Sequence, residues 1–176
     1  MKLNLSLLFL LASLGCFFWV LNLVWQRYVP LNVAFNQIPT SSPISGGLVA
    51  NGIILPDLNI SLPVFPGELS HGIWPVTSRG VIYLSSTPQP GTFGNSVIYG
   101  HNWPNLLGKL RNAQLGQKVL IHYANGLTKT FIISTISEVL STDMTILKPT
   151  SGTRLTIYTC TGFLDTKRLV VTATPA

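Results

Sequence analysis

The stretch RLTIYTCTGFLDTKRLVV, residues 154–171, decides how the rest of the chain is read. Two apolar, β-branched runs flank a turn that carries Gly162, the pattern of two strands and their connection. Cys160 closes the first run and Arg168 stands at the start of the second. Antiparallel strands joined by such a loop bring an early residue of the second beside the last of the first, so thiol and guanidinium are expected to meet. Working outward, the same texture continues over most of the chain. From Ile53 on, short apolar runs are broken about every ten residues by Gly, Pro, Asn or Ser, and none keeps a helical period for three turns. That reads as an all-β barrel or sandwich. Expected strands are IILPDL, NISLPVF, GVIYLS, NSVIYG, QKVLIHYA, LTKTFIISTISEVL, TRLTIYTC and KRLVVTAT. In KVLIHYANGLTKTFII, Asn125-Gly126 calls for a two-residue type I′ turn with positive φ at both positions. Only NLLGKLRNAQ looks helical, and it is short.

The front of the chain has a different character. Between Lys2 and Arg27 the run LNLSLLFLLASLGCFFWVLNLVWQ carries no charge, and about 20 apolar residues suffice to cross a bilayer core. Trp25 and Tyr28 stand at its far end, where amphipathic aromatics favour the interface. A cleaved signal peptide has a shorter apolar region and a small-residue cleavage site. This run continues through FFWVLNLVW without one, and LASLGC fits a lipoprotein box poorly. A retained anchor over residues 1–28 is therefore expected. Lys2 and the amino terminus favour an inside start, which leaves the remaining domain outside. Residues 29–52 are rich in Pro, Ser, Gly and Asn and read as a tether, with the folded domain over 53–176.

The chain carries 11 basic and 5 acidic residues. With Lys2 and Arg27 set aside, nine basic face five acidic, about +4. This mild excess, with no basic run or aromatic stripe, does not call for nucleic acid. There are two cysteines. Cys16 lies in the apolar run and cannot bridge to Cys160 in an outside domain, and an odd cysteine in an exported domain suggests a reactive thiol or an intermolecular bridge.

A thiol near pKa 8.5 is only a few per cent thiolate at neutral pH, so a nucleophilic Cys160 needs a base and a cation. Arg168, eight residues on, is a permanent cation that can lower the thiol's pKa, hold a carbonyl or stabilise an oxyanion. Of the three histidines, His101 in NSVIYGHNWPN marks a strand exit. His122 falls inside a strand with Lys118 and Leu120 on its face, and His71 lies in a loop. Cys160, His101 and Arg168 together suit acyl transfer through a thioester. The sequence has no spacing suited to a metal site, and its few acidic residues give glycosidase chemistry little material.

These residues resemble a known family. LTIYTC resembles the T-L-x-T-C strand of sortases with isoleucine for leucine, YGHN resembles their G-H loop, and KRLVV resembles their arginine-bearing strand. LPDLNISLPV resembles the first strand of the family and PGTFGNSVIYGHN its approach to the histidine, so the likeness covers about residues 53–175. The short connection between Cys160 and Arg168, with Gly162-Phe163 where several classes have proline, brings it nearer to the compact class D, E or F types. The resemblance implies a closed eight-stranded barrel with a groove in its wall. It also implies a cysteine transpeptidase that cleaves an L-P-x-T-G-like sorting signal after the threonine. Cys160 then forms the acyl-enzyme, His101 acts as acid and base, and Arg168 holds the carbonyl and oxyanion. Thr159 and Thr161 become candidates for contacting the peptide. Residues 137–154 take the place of one groove wall; lacking a calcium-type acidic cluster, they imply neither metal nor other cofactor. The partners implied are proteins with a C-terminal sorting signal, an amine from a cell-wall precursor or a pilin lysine, and the membrane. Two alternatives stay open: a hydrolase of the same chemistry, and a noncatalytic peptide-binding barrel.

Overall fold

The computed structural model describes residues 5–29, 48–69 and 74–176. His71 and most of the expected tether lie outside the described residues. The chain divides into two units, Met1–Pro30 and Leu31–Ala176.

The first unit is helix α1 (Leu5–Tyr28), 24 residues long. At 1.5 Å per residue it extends about 36 Å, against about 30 Å of bilayer hydrocarbon. Among the described residues it is the one helix long and apolar enough to cross a membrane. From Leu7 on, its Leu, Phe and Trp side chains are exposed all round, which suits a helix whose solvent is lipid.

The second unit is a closed barrel of eight strands, β1 (Ala50–Leu55), β2 (Ile60–Gly67), β3 (Val81–Leu84), β4 (Asn95–Gly100), β5 (Lys118–Tyr123), β6 (Thr128–Leu140), β7 (Arg154–Thr161) and β8 (Lys167–Pro175). Around the wall the order is β1-β2-β3-β4-β7-β8-β6-β5, and β1 closes on β5 with Ile53 opposite Ile121. Pairs β2·β3 and β4·β7 are parallel, and the other pairs are antiparallel. Of the two architectures open to the residue pattern, the structure is the barrel.

Period-2 alternation sends Ile53, Leu62, Val81, Ile98, Ile121, Phe131, Ile157 and Val171 into the barrel, where they form one apolar core. On β3 and β4, and at Thr156 and Tyr158 of β7 and Val170 of β8, outward residues are buried as well. Leu84, Val97, Tyr99, Tyr158 and Val170 form a second cluster, with Phe65, Trp74, Val139 and Leu147 packed over it. This double burial explains why GVIYLS and NSVIYG read as nearly continuous apolar runs.

The local departures from expectation have physical causes. β1 begins at Ala50, ahead of Ile53, and ends at Leu55, because Pro56 has no N–H for the ladder and opens a 3-10 turn over Pro56–Leu58. The β5–β6 turn is not type I′: of the Asn125-Gly126 pair only Gly126 has positive φ, +83°. The Tyr123 N–H donates to the Leu127 carbonyl at 2.9 Å, enclosing a three-residue loop whose left-handed glycine absorbs the extra residue as a bulge. The expected helical stretch is a 3-10 helix, Leu107–Asn112.

Candidate active site

Strand register builds the site. In the parallel pair β4·β7, Tyr99 stands opposite Tyr158 and Gly100 opposite Thr159. In the antiparallel pair β7·β8, Tyr158 stands opposite Val170 and Cys160 opposite Arg168. His101 follows Gly100 directly, so one more step along the β4·β7 register brings it level with Cys160. His101, Cys160 and Arg168 thus form a row across three neighbouring strands, one rung beyond the row Tyr99, Tyr158 and Val170. Alternation keeps the side chains of both rows on the outer face of the wall.

A groove of about 280 Å³ opens on this face. His101, Cys160 and Arg168 line it together with Trp74, Tyr99 and Tyr158. The aromatic floor is ordered: Tyr99 and Tyr158 stack at 5.3 Å, and Trp74 meets both edge-on at 4.9 and 5.7 Å. The Tyr99 hydroxyl donates to the Pro75 carbonyl at 2.7 Å, which ties the segment bearing Trp74 to the wall.

The opposite wall comes from the connection between β6 and β7, which contributes Ser141, Asp143, Met144 and Ile146. Buried Asn95, at the start of β4, holds this segment. Its Nδ2 donates to the carbonyls of Ile146 and Lys148 at 2.7 and 3.2 Å, while its Oδ1 accepts from Thr156 at 2.6 Å and Arg154 at 3.2 Å. Asp143 caps the 3-10 turn Met144–Leu147 by accepting from the Thr145 N–H at 2.8 Å. The hydrogen bonds to Thr145 hold its carboxyl below the usual range.

Cys160 is a free, partly exposed cysteine. Burial pushes its thiol up; Arg168 pulls it down and Asp165 adds to the rise. The net direction is upward, so the guanidinium alone does not produce the depressed thiol pKa considered for it above. Burial likewise raises the phenols of Tyr99 and Tyr158. Arg168 is held by its own turn: Nη1 donates to the carbonyls of Asp165 and Lys167 at 2.8 and 2.9 Å. That turn runs through two left-handed non-glycine residues, Leu164 and Asp165, with φ of 52° and 58°.

Thr159 and Thr161, on either side of Cys160, lie off the groove. Thr159 is 2% exposed, and its hydroxyl donates to the Gly100 carbonyl at 2.8 Å, tying β7 to the residue before His101. Thr161 stands opposite Lys167 at the strand end. Neither is among the groove-lining residues. His122 keeps to the half-exposed strand face expected of it, its Nδ1 2.7 Å from the Thr128 hydroxyl. Tyr99 and Tyr158, unremarked in the sequence, lie two residues before His101 and Cys160, and the strand period alone marks them. Trp74 and Asn95 carry no such signal. Among the described residues no group of three His, Cys, Asp or Glu side chains is placed to hold a metal ion.

A closed β-barrel whose outer wall carries a thiol in one row with an imidazole and a guanidinium defines a narrow class of proteins. A family model described as Sortase domain matches residues 53–176, and the chain belongs to the sortase family. The sortase A of Streptococcus agalactiae serotype III (strain NEM316) is 30% identical over 139 residues, 71% of this chain and 52% of that protein. The chain thus spans about half the length of that relative. Among solved structures, a lid mutant of sortase A from Corynebacterium diphtheriae matches with a TM-score of 0.63 at 25% identity, covering 76% of this chain and 74% of that one. Sortase C-1 from Actinomyces oris matches with a TM-score of 0.60 at 24% identity, covering 71% and 72%. These relatives are named sortase A and sortase C-1; the family rests on the matching family model, and the 24% match shows the shared fold alone.

Proposed function

We propose that this chain is a membrane-anchored cysteine transpeptidase that cleaves an L-P-x-T-G-like sorting signal and transfers the acyl part to an amine. The observation that carries the reading is the row His101, Cys160 and Arg168, set by the registers of β4, β7 and β8 and facing one groove. The Cys160 Sγ attacks the threonine carbonyl carbon while His101 takes the thiol proton. Arg168 donates to the developing oxyanion, the place where charge appears in the transition state. As the C–N bond breaks, His101 returns the proton to the leaving amine and a thioester remains on Cys160. An acceptor amine, from a cell-wall precursor or a pilin lysine, attacks the thioester, loses a proton to His101 and releases the thiol. Because burial raises the Cys160 thiol, most of it is protonated at neutral pH, and proton removal by His101 belongs to the attack itself.

α1 is the anchor in this reading, and the barrel works on the outer side of the membrane. The residues between α1 and β1 serve as the tether, holding the enzyme at high effective concentration toward substrates fixed to the same bilayer.

The test is intact-mass analysis of the full chain in detergent, incubated with an L-P-x-T-G peptide with and without an amine, wild type beside Cys160→Ala. The expected result is a thioester adduct on Cys160 and amine-dependent ligated product, both lost in the variant. Free acid as the sole product at saturating amine identifies a hydrolase, and absence of any adduct with peptides of varied x residue supports a noncatalytic barrel.

A further inference from the structure

We infer that Trp103 is a positioning residue for His101, fixing the imidazole plane and favouring its protonated form. The inference rests on the assignment of His101 as acid and base. His101 lies just past the last ladder residue of β4, Gly100, so strand pairing does not by itself orient its ring. The indole of Trp103 lies face to face with the imidazole, ring centroids 4.5 Å apart and planes 9° from parallel.

Trp103 is itself well held. Its side chain packs, half-buried, against the barrel core. Its carbonyl accepts from the N–H groups of Leu106 and Gly108, each at 2.9 Å, and the His101 carbonyl accepts from Leu107 at 3.1 Å. Gly108 permits this closeness, since a Cβ there would stand 2.6 Å from the Trp103 carbonyl oxygen. Pro104 follows directly, which disfavours the helical region for Trp103. Residues 101–108 thus form a braced loop that presents one aromatic face to one imidazole.

An aromatic face is the negative part of the ring quadrupole and attracts a cation stacked on it. Imidazolium therefore gains more from Trp103 than neutral imidazole does. In the reaction above the imidazolium is the species that protonates the leaving amine, so stacking supports that step. Among the described residues, the other charged or titratable groups lining the same groove are Tyr99 on β4, Tyr158 and Cys160 on β7, Arg168 on β8, Asp165 in the β7–β8 turn and Asp143 in the facing wall. Lys109 and Arg111 lie in the 3-10 helix that follows Trp103. All of these are unchanged in a Trp103 variant, so a difference between variants isolates the indole.

The experiment is an NMR titration of the His101 ring protons in the full chain in micelles, assigned by their loss in His101→Gln. Wild type, Trp103→Phe and Trp103→Leu are compared. Trp103→Leu is expected to lower the His101 titration midpoint by about half a pH unit, with Trp103→Phe between. Loss of the indole also removes the ring-current displacement of the imidazole protons. The acidic limb of the acylation rate on an L-P-x-T-G peptide moves the same way. An unmoved midpoint in a folded Trp103→Phe or Trp103→Leu variant overturns the inference, even where the acylation rate falls. Because the titration needs no turnover, failure to acylate the wild-type chain overturns the transpeptidase reading separately.

Discussion

The two apolar clusters of the barrel use the same strands for different ends. On β7, Leu155 and Ile157 point inward to a core built mostly of aliphatic side chains, with Tyr83, Tyr123 and Phe131 among them, while Tyr158 points outward to a cluster where Tyr99, Tyr158 and Trp74 meet. The inner cluster closes the barrel. Its outer counterpart carries a groove, with Trp74, Tyr99 and Tyr158 as floor and the Asn95-anchored connection as wall. One alternating strand therefore contributes to the barrel core on one face and to the groove on the other. Substitutions inside are expected to cost stability, whereas outside they change reactivity or substrate access.

The largest expected effect lies inside. Ile157 is fully buried, and Ile157→Ala removes apolar burial and leaves a cavity, a loss of about 2–5 kcal/mol. A fall in the denaturant midpoint of the barrel, read beside the activity of the fraction still folded, checks it. If the folded fraction also loses specific activity, the division between the faces is less sharp than drawn here.

Asn95→Ala comes next, at about 1–3 kcal/mol, because buried acceptors and the Thr156 hydroxyl lose their partner. Its distinctive result is at the groove: the wall bearing Met144 and Ile146 loses its tie, so KM for the peptide rises. An unchanged KM means that the connection holds its place without Asn95.

Asp165→Asn has the smallest effect and is a matter of pH. The Asp165 charge raises the Cys160 thiol, so removing it favours the thiolate and moves the onset of alkylation by a small electrophile to lower pH. Removing the positive charge of Arg168 moves that onset the other way. The same direction of shift in both variants contradicts the electrostatics described for the thiol.

Much of this contrast was written in the sequence, unevenly. Strand positions followed from alternation and turn residues, and the Cys160–Arg168 meeting followed from a short antiparallel connection, since both are local. Pairing of β4 with β7 was not local. Asn95 and Arg154 become neighbours although they stand 59 positions apart in the chain, and no nearby residue announces a parallel partner. The outward face of Cys160 did contain one unused clue. With period 2, Tyr158 shares that face and Thr159 cannot, which is why Thr159 is buried on Gly100 while Tyr158 floors the groove. The Asn125-Gly126 turn misled in detail because the same pair serves two- and three-residue loops, and only the cross-strand register distinguishes them.

The most direct test of the central claim, that one row on the outer wall does the chemistry, is single-turnover thioester formation on Cys160. Wild type, His101→Gln and Arg168→Gln are compared, each with its thermal unfolding midpoint. The expected result is a loss of about 100-fold or more in acylation rate for each variant, with unfolding midpoints close to wild type. Acylation at the wild-type rate in either variant, with the protein folded, would contradict the account.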